Sequence, residues 1–194
     1  MKRKRFLHLG AASALGLLAA QGRGQAASAA PEAYHFADDG HIPNSRYPLL
    51  VYRRAFAERG AAGAAWLEHH FAGHNWTNSW RNGVYPFHHY HSTSHEVLGV
   101  YAGAARLQLG GEGGRAVAVQ AGDILVIPAG VGHKKLDASP DFGVVGAYPD
   151  GRHWDLLRGE PGERPQADQH IAALPRPSTD PLLGASGGLL QQWA

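Results

Sequence analysis

The sequence predicts an all-β fold, a small barrel or two-sheet sandwich preceded by one short helix, on three observations. From Gly83 onward the hydrophobic period is two, carried by short apolar segments of strand length. These segments are separated by glycine-containing turns at regular intervals, the pattern of antiparallel barrels and sandwiches. The 194 residues also include 26 glycines and 12 prolines, too many turn formers for an all-α bundle.

Taken in order, Tyr47 to Phe56 is short, apolar and rich in Val, Leu and Tyr, which predicts a strand. Ala61 to Ala72 carries Trp66, Leu67 and Phe71 at helical spacing and predicts a helix. Five strands follow: Glu96 to Tyr101, Ala104 to Leu109, Arg115 to Val119, Ile124 to Ile127 and Phe142 to Tyr148. Ala102-Gly103, the run Gly110 to Gly114, Ala121-Gly122-Asp123 and Pro128-Ala129-Gly130 supply the turns. Beyond Asp150 the chain is rich in Pro and Gly, so an extended tail over the barrel is expected, with one helical turn near Gln166 to Leu174. No internal repeat is present, which argues against a duplicated barrel. The expected organisation is therefore a leader (1–29), an N-terminal strand and helix (30–82), a barrel core (83–149) and a tail (150–194).

The leader accounts for the chain's basic pI. Lys2, Arg3, Lys4, Arg5 and Arg23 all precede the first acidic residue, Glu32, leaving 13 basic against 16 acidic residues, a net charge of about −3. A domain so balanced lacks the cationic surplus that drives nucleic-acid binding. The basic start, the apolar stretch Phe6 to Ala20 and the small residues Ala27-Ser28-Ala29 have the layout of an export signal, cut before Ala30. Arg3-Lys4-Arg5-Phe6-Leu7 resembles the twin-arginine pattern, with Lys4 standing where the second arginine of the pair belongs. A periplasmic or secreted protein without a stable membrane anchor after cleavage is expected. With no cysteine there is no thiolate site, so a metal must be held by nitrogen and oxygen.

Seven of the 13 histidines lie between His69 and His95. His89 and His91 are two apart, a spacing that on extended chain sends both imidazoles to one face, while His88 and Tyr90 point the other way. Glu96 opens a strand whose Leu98 and Val100 share its face, and a carboxylate among apolar neighbours needs a partner. His133 follows the Pro128-Ala129-Gly130 turn, which returns the chain to the same mouth. Three imidazoles and one carboxylate suit one divalent transition ion: manganese, iron, nickel, copper or zinc.

These residues resemble the cupin superfamily. The first cupin motif, G-x5-H-x-H-x4-E-x6-G, is matched by Gly83, His89, His91, Glu96 and Gly103. The second, G-x5-P-x-G-x2-H-x3-N, is matched by Gly122, Pro128, Gly130 and His133, with Asp137 in place of Asn. The text from Asn78 to Gly83, His88 to Glu96 and Gly146 to Pro149 is similar to small single-domain bacterial cupins of the YjlB-like type. The resemblance implies a single jelly-roll barrel (a double-stranded β-helix) with a short N-terminal helix and an irregular C-terminal tail. It also implies His89, His91, Glu96 and His133 as metal ligands, a small-molecule ligand and a homodimer, and it names no substrate. Two functions follow as expectations: a metal-dependent dioxygenase or isomerase acting on a small oxygen-bearing molecule, or a non-catalytic module that binds a small molecule or the metal. Tyr85, Tyr90 and Tyr101 are candidates for binding substrate beside the metal.

Other motifs carry less. His70 and His74 stand at i and i+4 without the H-E-x-x-H order of zinc proteases, which predicts a solvated helix face. Gly184 to Gly188 spells G-x-S-x-G, yet no acid or histidine follows Ser186, so a flexible tail is expected there. Trp76, Trp80 and Trp154 offer an aromatic wall, against the commoner role of tryptophan in packing.

Overall fold

The computed structural model describes residues 30–194, so the expected export signal lies outside the described residues. Six antiparallel strands form the larger sheet: β1 (Glu32–Tyr34), β2 (Leu49–Tyr52), β3 (Trp76–Asn82), β4 (Glu96–Ala102), β7 (Ile124–Ile127) and β9 (Gly143–Pro149), in spatial order β1-β2-β7-β4-β9-β3. Facing it are β5 (Ala104–Leu109), β6 (Arg115–Gln120) and β8 (His133–Ala138), ordered β6-β5-β8. The two sheets close the jelly-roll barrel.

Side-chain alternation builds two apolar layers. On the inner face Leu98 and Val100 of β4, Leu125 and Ile127 of β7 and Val144 of β9 meet Ala105, Leu107, Leu109, Val117 and Val119 of the smaller sheet. On the outer face Val97, Ile124, Val126, Val145 and Ala147 are covered by the helix α1 (Gly60–Gly73) through Ala64, Leu67 and Phe71. Burial on both faces explains why β7 reads as an unbroken apolar run, whereas β5, with one face in water, alternates.

Besides β1 and β8, which no expected strand covers, three elements differ from expectation. Trp76–Asn82 is an edge strand that its polar text conceals, because most of its residues stay exposed and its pairing with β9 is interrupted by a bulge at Asn78. His89 and His91 lie on no regular strand: His89 makes an isolated bridge to His133, and Tyr90 one to Leu157. The tail is not merely extended. It holds α2 (Gln166–Ala173), where one turn is expected, and a further helix, α3 (Gly188–Gln192).

Leu182, Leu189 and Trp193 of this tail join the outer core. Fully buried Asp180 accepts the Leu182, Leu183 and Leu189 backbone N–H groups and the Tyr52 hydroxyl, which orders the Gly184 to Gly188 stretch instead of leaving it flexible. His70 and His74 are half-buried, not fully solvated: their ring nitrogens meet the Leu182 and Pro181 carbonyls at 2.8 and 2.9 Å. The helix face presumed to meet water is the dock for the tail.

Candidate metal centre

Backbone pairing brings the centre together. His89 and His133 exchange N–H···O=C bonds of 3.2 and 2.9 Å, and the Gly130 N–H donates to the His91 carbonyl at 2.8 Å. Gly130 has φ +92°, and a Cβ there would strike the Asn44 carbonyl, so the turn that delivers His133 requires glycine. Glu96, the first residue of β4, shares the inward face of Leu98 and Val100.

Each imidazole is oriented by a carbonyl. Nδ1 of His89 faces the Phe87 oxygen at 3.3 Å, Nδ1 of His133 faces Val131 at 3.2 Å, and Nδ1 of His91 contacts the Asp155 oxygen. A ring nitrogen bonded to a carbonyl carries the hydrogen, so in all three rings Nε2 is the nitrogen free to bind a cation. One ligand atom from each of the three buried rings lies within 4.8 Å of those from the others. Glu96 Oε2 stands 3.5 Å from His91 Nε2 and 3.3 Å from His133 Nε2, close but not aligned as hydrogen bonds, so this buried oxygen has no partner. Its other oxygen, Oε1, accepts the Tyr148 hydroxyl at 3.1 Å, and Tyr148 in turn accepts the Trp80 indole N–H at 2.7 Å.

The electrostatics ask for a cation. Burial, reinforced by His133 and His91, pushes the His89 pKa far down and keeps that ring neutral. For His91 burial acts the same way but is outweighed by the charge of Glu96, and its pKa rises. Burial of Glu96 is likewise outweighed, chiefly by His91, and its carboxyl is held well below the usual range. An ionised carboxylate 3.3–3.5 Å from the Nε2 atoms of His91 and His133 is stabilised by a positive charge, whether a proton on His91 or a metal ion. The unpartnered Oε2 and the three-nitrogen, one-oxygen donor set fit a divalent transition ion.

The four groups sit at the base of a cavity of about 190 Å³ whose walls include Trp80, Tyr85, Leu98, Tyr148 and Trp154. Tyr85 lies edge-on to His89, with ring centroids 5.1 Å apart. Trp154 stacks on Tyr148 at 5.8 Å and tilts over His91 at 5.2 Å. Of the three tyrosines proposed from sequence, only Tyr85 lines this space. Tyr90 is turned outward by the same alternation that turns His89 and His91 inward; it packs on Ile42 and Ala167 and donates to Glu163 at 2.9 Å. Tyr101, one residue past inward-facing Val100, packs against the outer core.

Tyr148, Trp80 and Trp154 take the place of those two tyrosines. Counting by twos from Val144 places Tyr148 inward, a signal present in the sequence. Trp154 lies beyond the strands, where no periodicity points. Trp76 is core, its indole donating to the Thr179 carbonyl at 3.1 Å.

His95, beside Glu96 in sequence, faces the opposite side. Its Nδ1 accepts the Ala129 N–H at 2.9 Å, and its ring packs on Trp193 with centroids 4.9 Å apart. Burial pushes its pKa down from 6.5 to about 4. Between those values the unfolded chain binds a proton that the folded chain does not, so stability falls as pH drops through the window. A shift of this size is worth roughly 3 kcal/mol, present in full above pH 6.5 and gone below about pH 4. The stability of a His95→Leu variant, followed by denaturant titration, is expected to depend less on pH across this range than that of the wild type. Parallel slopes would contradict the assignment.

Comparison with known proteins places this geometry in context. A family model described as a cupin domain matches residues 81–136, which span all four candidate ligands. The chain is 47% identical over 163 residues to the uncharacterised protein YjlB of Bacillus subtilis, covering 84% of this chain and 96% of that one. Among solved structures, acireductone dioxygenase from Bacillus anthracis, with a cadmium ion in its active centre, aligns at 17% identity and TM-score 0.32, over 45% of this chain and 58% of that one. A mutant of Bacillus subtilis oxalate decarboxylase aligns at 19% identity and TM-score 0.35, over 67% of this chain and 30% of that one. Procruciferin, an 11S globulin from Brassica napus, aligns at 22% identity and TM-score 0.33, over 40% of this chain and 20% of that one. The chain thus spans less than two thirds of each of these three structures.

Proposed function

The chain belongs to the cupin superfamily, with YjlB as a relative along most of its length, and from that premise we propose that it is a metal-dependent enzyme of dioxygenase or isomerase type acting on a small oxygen-bearing molecule. His89, His91, Glu96 and His133 are the residues that would hold the ion. The observation that carries this reading is the unpartnered Glu96 Oε2 among three imidazoles whose other nitrogens are tied to carbonyls, at the base of a cavity open on one side. A divalent ion bound there supplies Lewis acidity toward a carbonyl or enolate and, in the case of iron, oxygen activation.

The chain's own groups supply the rest. Burial and the Glu96 charge push the Tyr148 phenol well above its ordinary range, so at neutral pH it holds its proton and keeps its hydrogen bond to Glu96 Oε1, positioning the carboxylate beside the metal position. Trp80, Tyr85 and Trp154 offer flat walls against which a ring or a sugar face can stack. The same reading has the protein exported under the direction of residues 1–29.

A second reading rests on one observation: among the described residues Glu96 is the one carboxylate lining the cavity, with no lysine beside it to act as a general base. On that reading the protein binds a small molecule without turning it over. Apoprotein loaded separately with iron, manganese, nickel or zinc, then screened against sugars, diketones and phenols for oxygen uptake and isomerisation, separates the two. Turnover with one ion supports the enzyme, whereas saturable binding beside the metal with no turnover under any ion supports the binding module.

A further inference from the structure

We propose that Asp155 is a positioning residue for this centre, and that the segment Trp154 to Leu157 is the outer brace of the His89–His91 stretch. The inference rests on the reading that the three histidines and Glu96 hold a metal ion. The tail segment containing Asp155 reaches the site from outside the barrel and pairs with the ligand-bearing chain: Tyr90 and Leu157 exchange backbone bonds of 2.9 and 3.0 Å. His91 and Thr93 engage the same segment at Asp155.

The Asp155 carboxylate ties the two segments together. Oδ1 accepts the Ser92 and Thr93 backbone N–H groups at 2.6 and 3.2 Å and the Thr93 hydroxyl at 3.2 Å, while Oδ2 accepts the Ser92 hydroxyl at 2.5 Å. The Thr93 hydroxyl oxygen accepts the Asp155 N–H at 3.0 Å. This places the Asp155 carbonyl where it takes the Nδ1 hydrogen of His91, and it sets the adjacent Trp154 over the same imidazole. The carboxylate therefore governs the aim of His91 Nε2 without touching the cavity.

Ser92, Asp155 and His170 are not a nucleophilic triad, although Ser92 contacts both of the others. Ser92 gives its hydrogen to Asp155 and accepts the His170 Nδ1 contact at 3.1 Å, so the histidine is placed as donor and not as base. Ser92 is also fully buried. The cluster's role is to hold its own backbone still.

The test is titration of chelator-treated protein with cobalt(II), following its visible absorption and competing it with a chelator of known affinity. The wild type is expected to bind one ion per chain. Asp155→Ala is expected to bind about 10–100-fold more weakly with a changed absorption band, at a temperature where it is fully folded. Asp155→Asn keeps an oxygen for the Ser92 and Thr93 N–H groups and is expected to recover most of the affinity. Should Asp155→Ala fail to fold, Ser92→Ala removes a single bond of the brace, and severalfold weakening with a shifted band is expected. Wild-type affinity and an unchanged spectrum in a folded Asp155→Ala or Ser92→Ala protein would overturn the inference while leaving the metal site standing. A wild type that binds no cobalt would overturn the metal reading itself.

Discussion

Replacing His91 and Glu96 together by alanine is expected to lower the metal content of the purified protein from about one ion per chain to less than about a tenth, because two of four donors are gone and two neutral imidazoles hold an ion poorly. The fold should survive the change. The inner layer of Leu98, Val100, Leu107, Leu125 and Val144 does not depend on either side chain, and the Tyr148 hydroxyl keeps the Trp80 indole as a partner. The double change removes the carboxylate together with the imidazole whose pKa it raises, so neither is left as an isolated charge in the barrel. Elemental analysis of the two proteins, with circular dichroism as the control for folding, is the measurement. Equal metal content would rule the site out.

The second large effect lies at the far end of the chain. Trp193→Ala is expected to lose about 3–5 kcal/mol of stability, the usual range for removing a large buried aromatic side chain. The indole is 1% exposed, stacks on Tyr47 at 5.1 Å and donates to the Pro48 carbonyl at 2.8 Å. Substitution opens a cavity and leaves that carbonyl without its partner. Chemical denaturation of wild type and variant at neutral pH checks it. A loss below about 1 kcal/mol would mean that the last helix is not part of the cooperative core.

The contrast between these two regions shows what the sequence made legible. The barrel strands could be found because alternation is a local signal: Leu98 and Val100 inward and Val97 outward follow from the pleat alone. The same rule converges His89 and His91, even though neither lies on a regular strand and only His89 makes an isolated bridge. Glu96 and His133 were identifiable by their place just after turns, each as the first residue of a strand.

The tail was illegible for a physical reason. Asp180 and Leu189 are separated by the aperiodic small residues 184–188, and what fixes Asp180 and Trp193 is contact with partners more than 100 residues away, Tyr52 and Pro48. Trp154 and Asp155 were hidden in the same way, since their positions are set by Ser92 and Thr93. Tyr90 and Tyr101 fall outside the cavity by the same alternation: the spacing that turns His89 and His91 inward turns Tyr90 outward, and Tyr101 follows inward-facing Val100. Followed to β9, that rule leads to Tyr148.

The central claim, that three imidazoles and one carboxylate hold a divalent ion, is tested most directly by X-ray absorption at the metal edge of the purified, unmanipulated protein. The account predicts a first shell of nitrogen and oxygen at about 2.0–2.2 Å, with the outer-shell scattering of about three imidazole rings. A shell of oxygen alone, without imidazole scattering, would show an ion held elsewhere and contradict it.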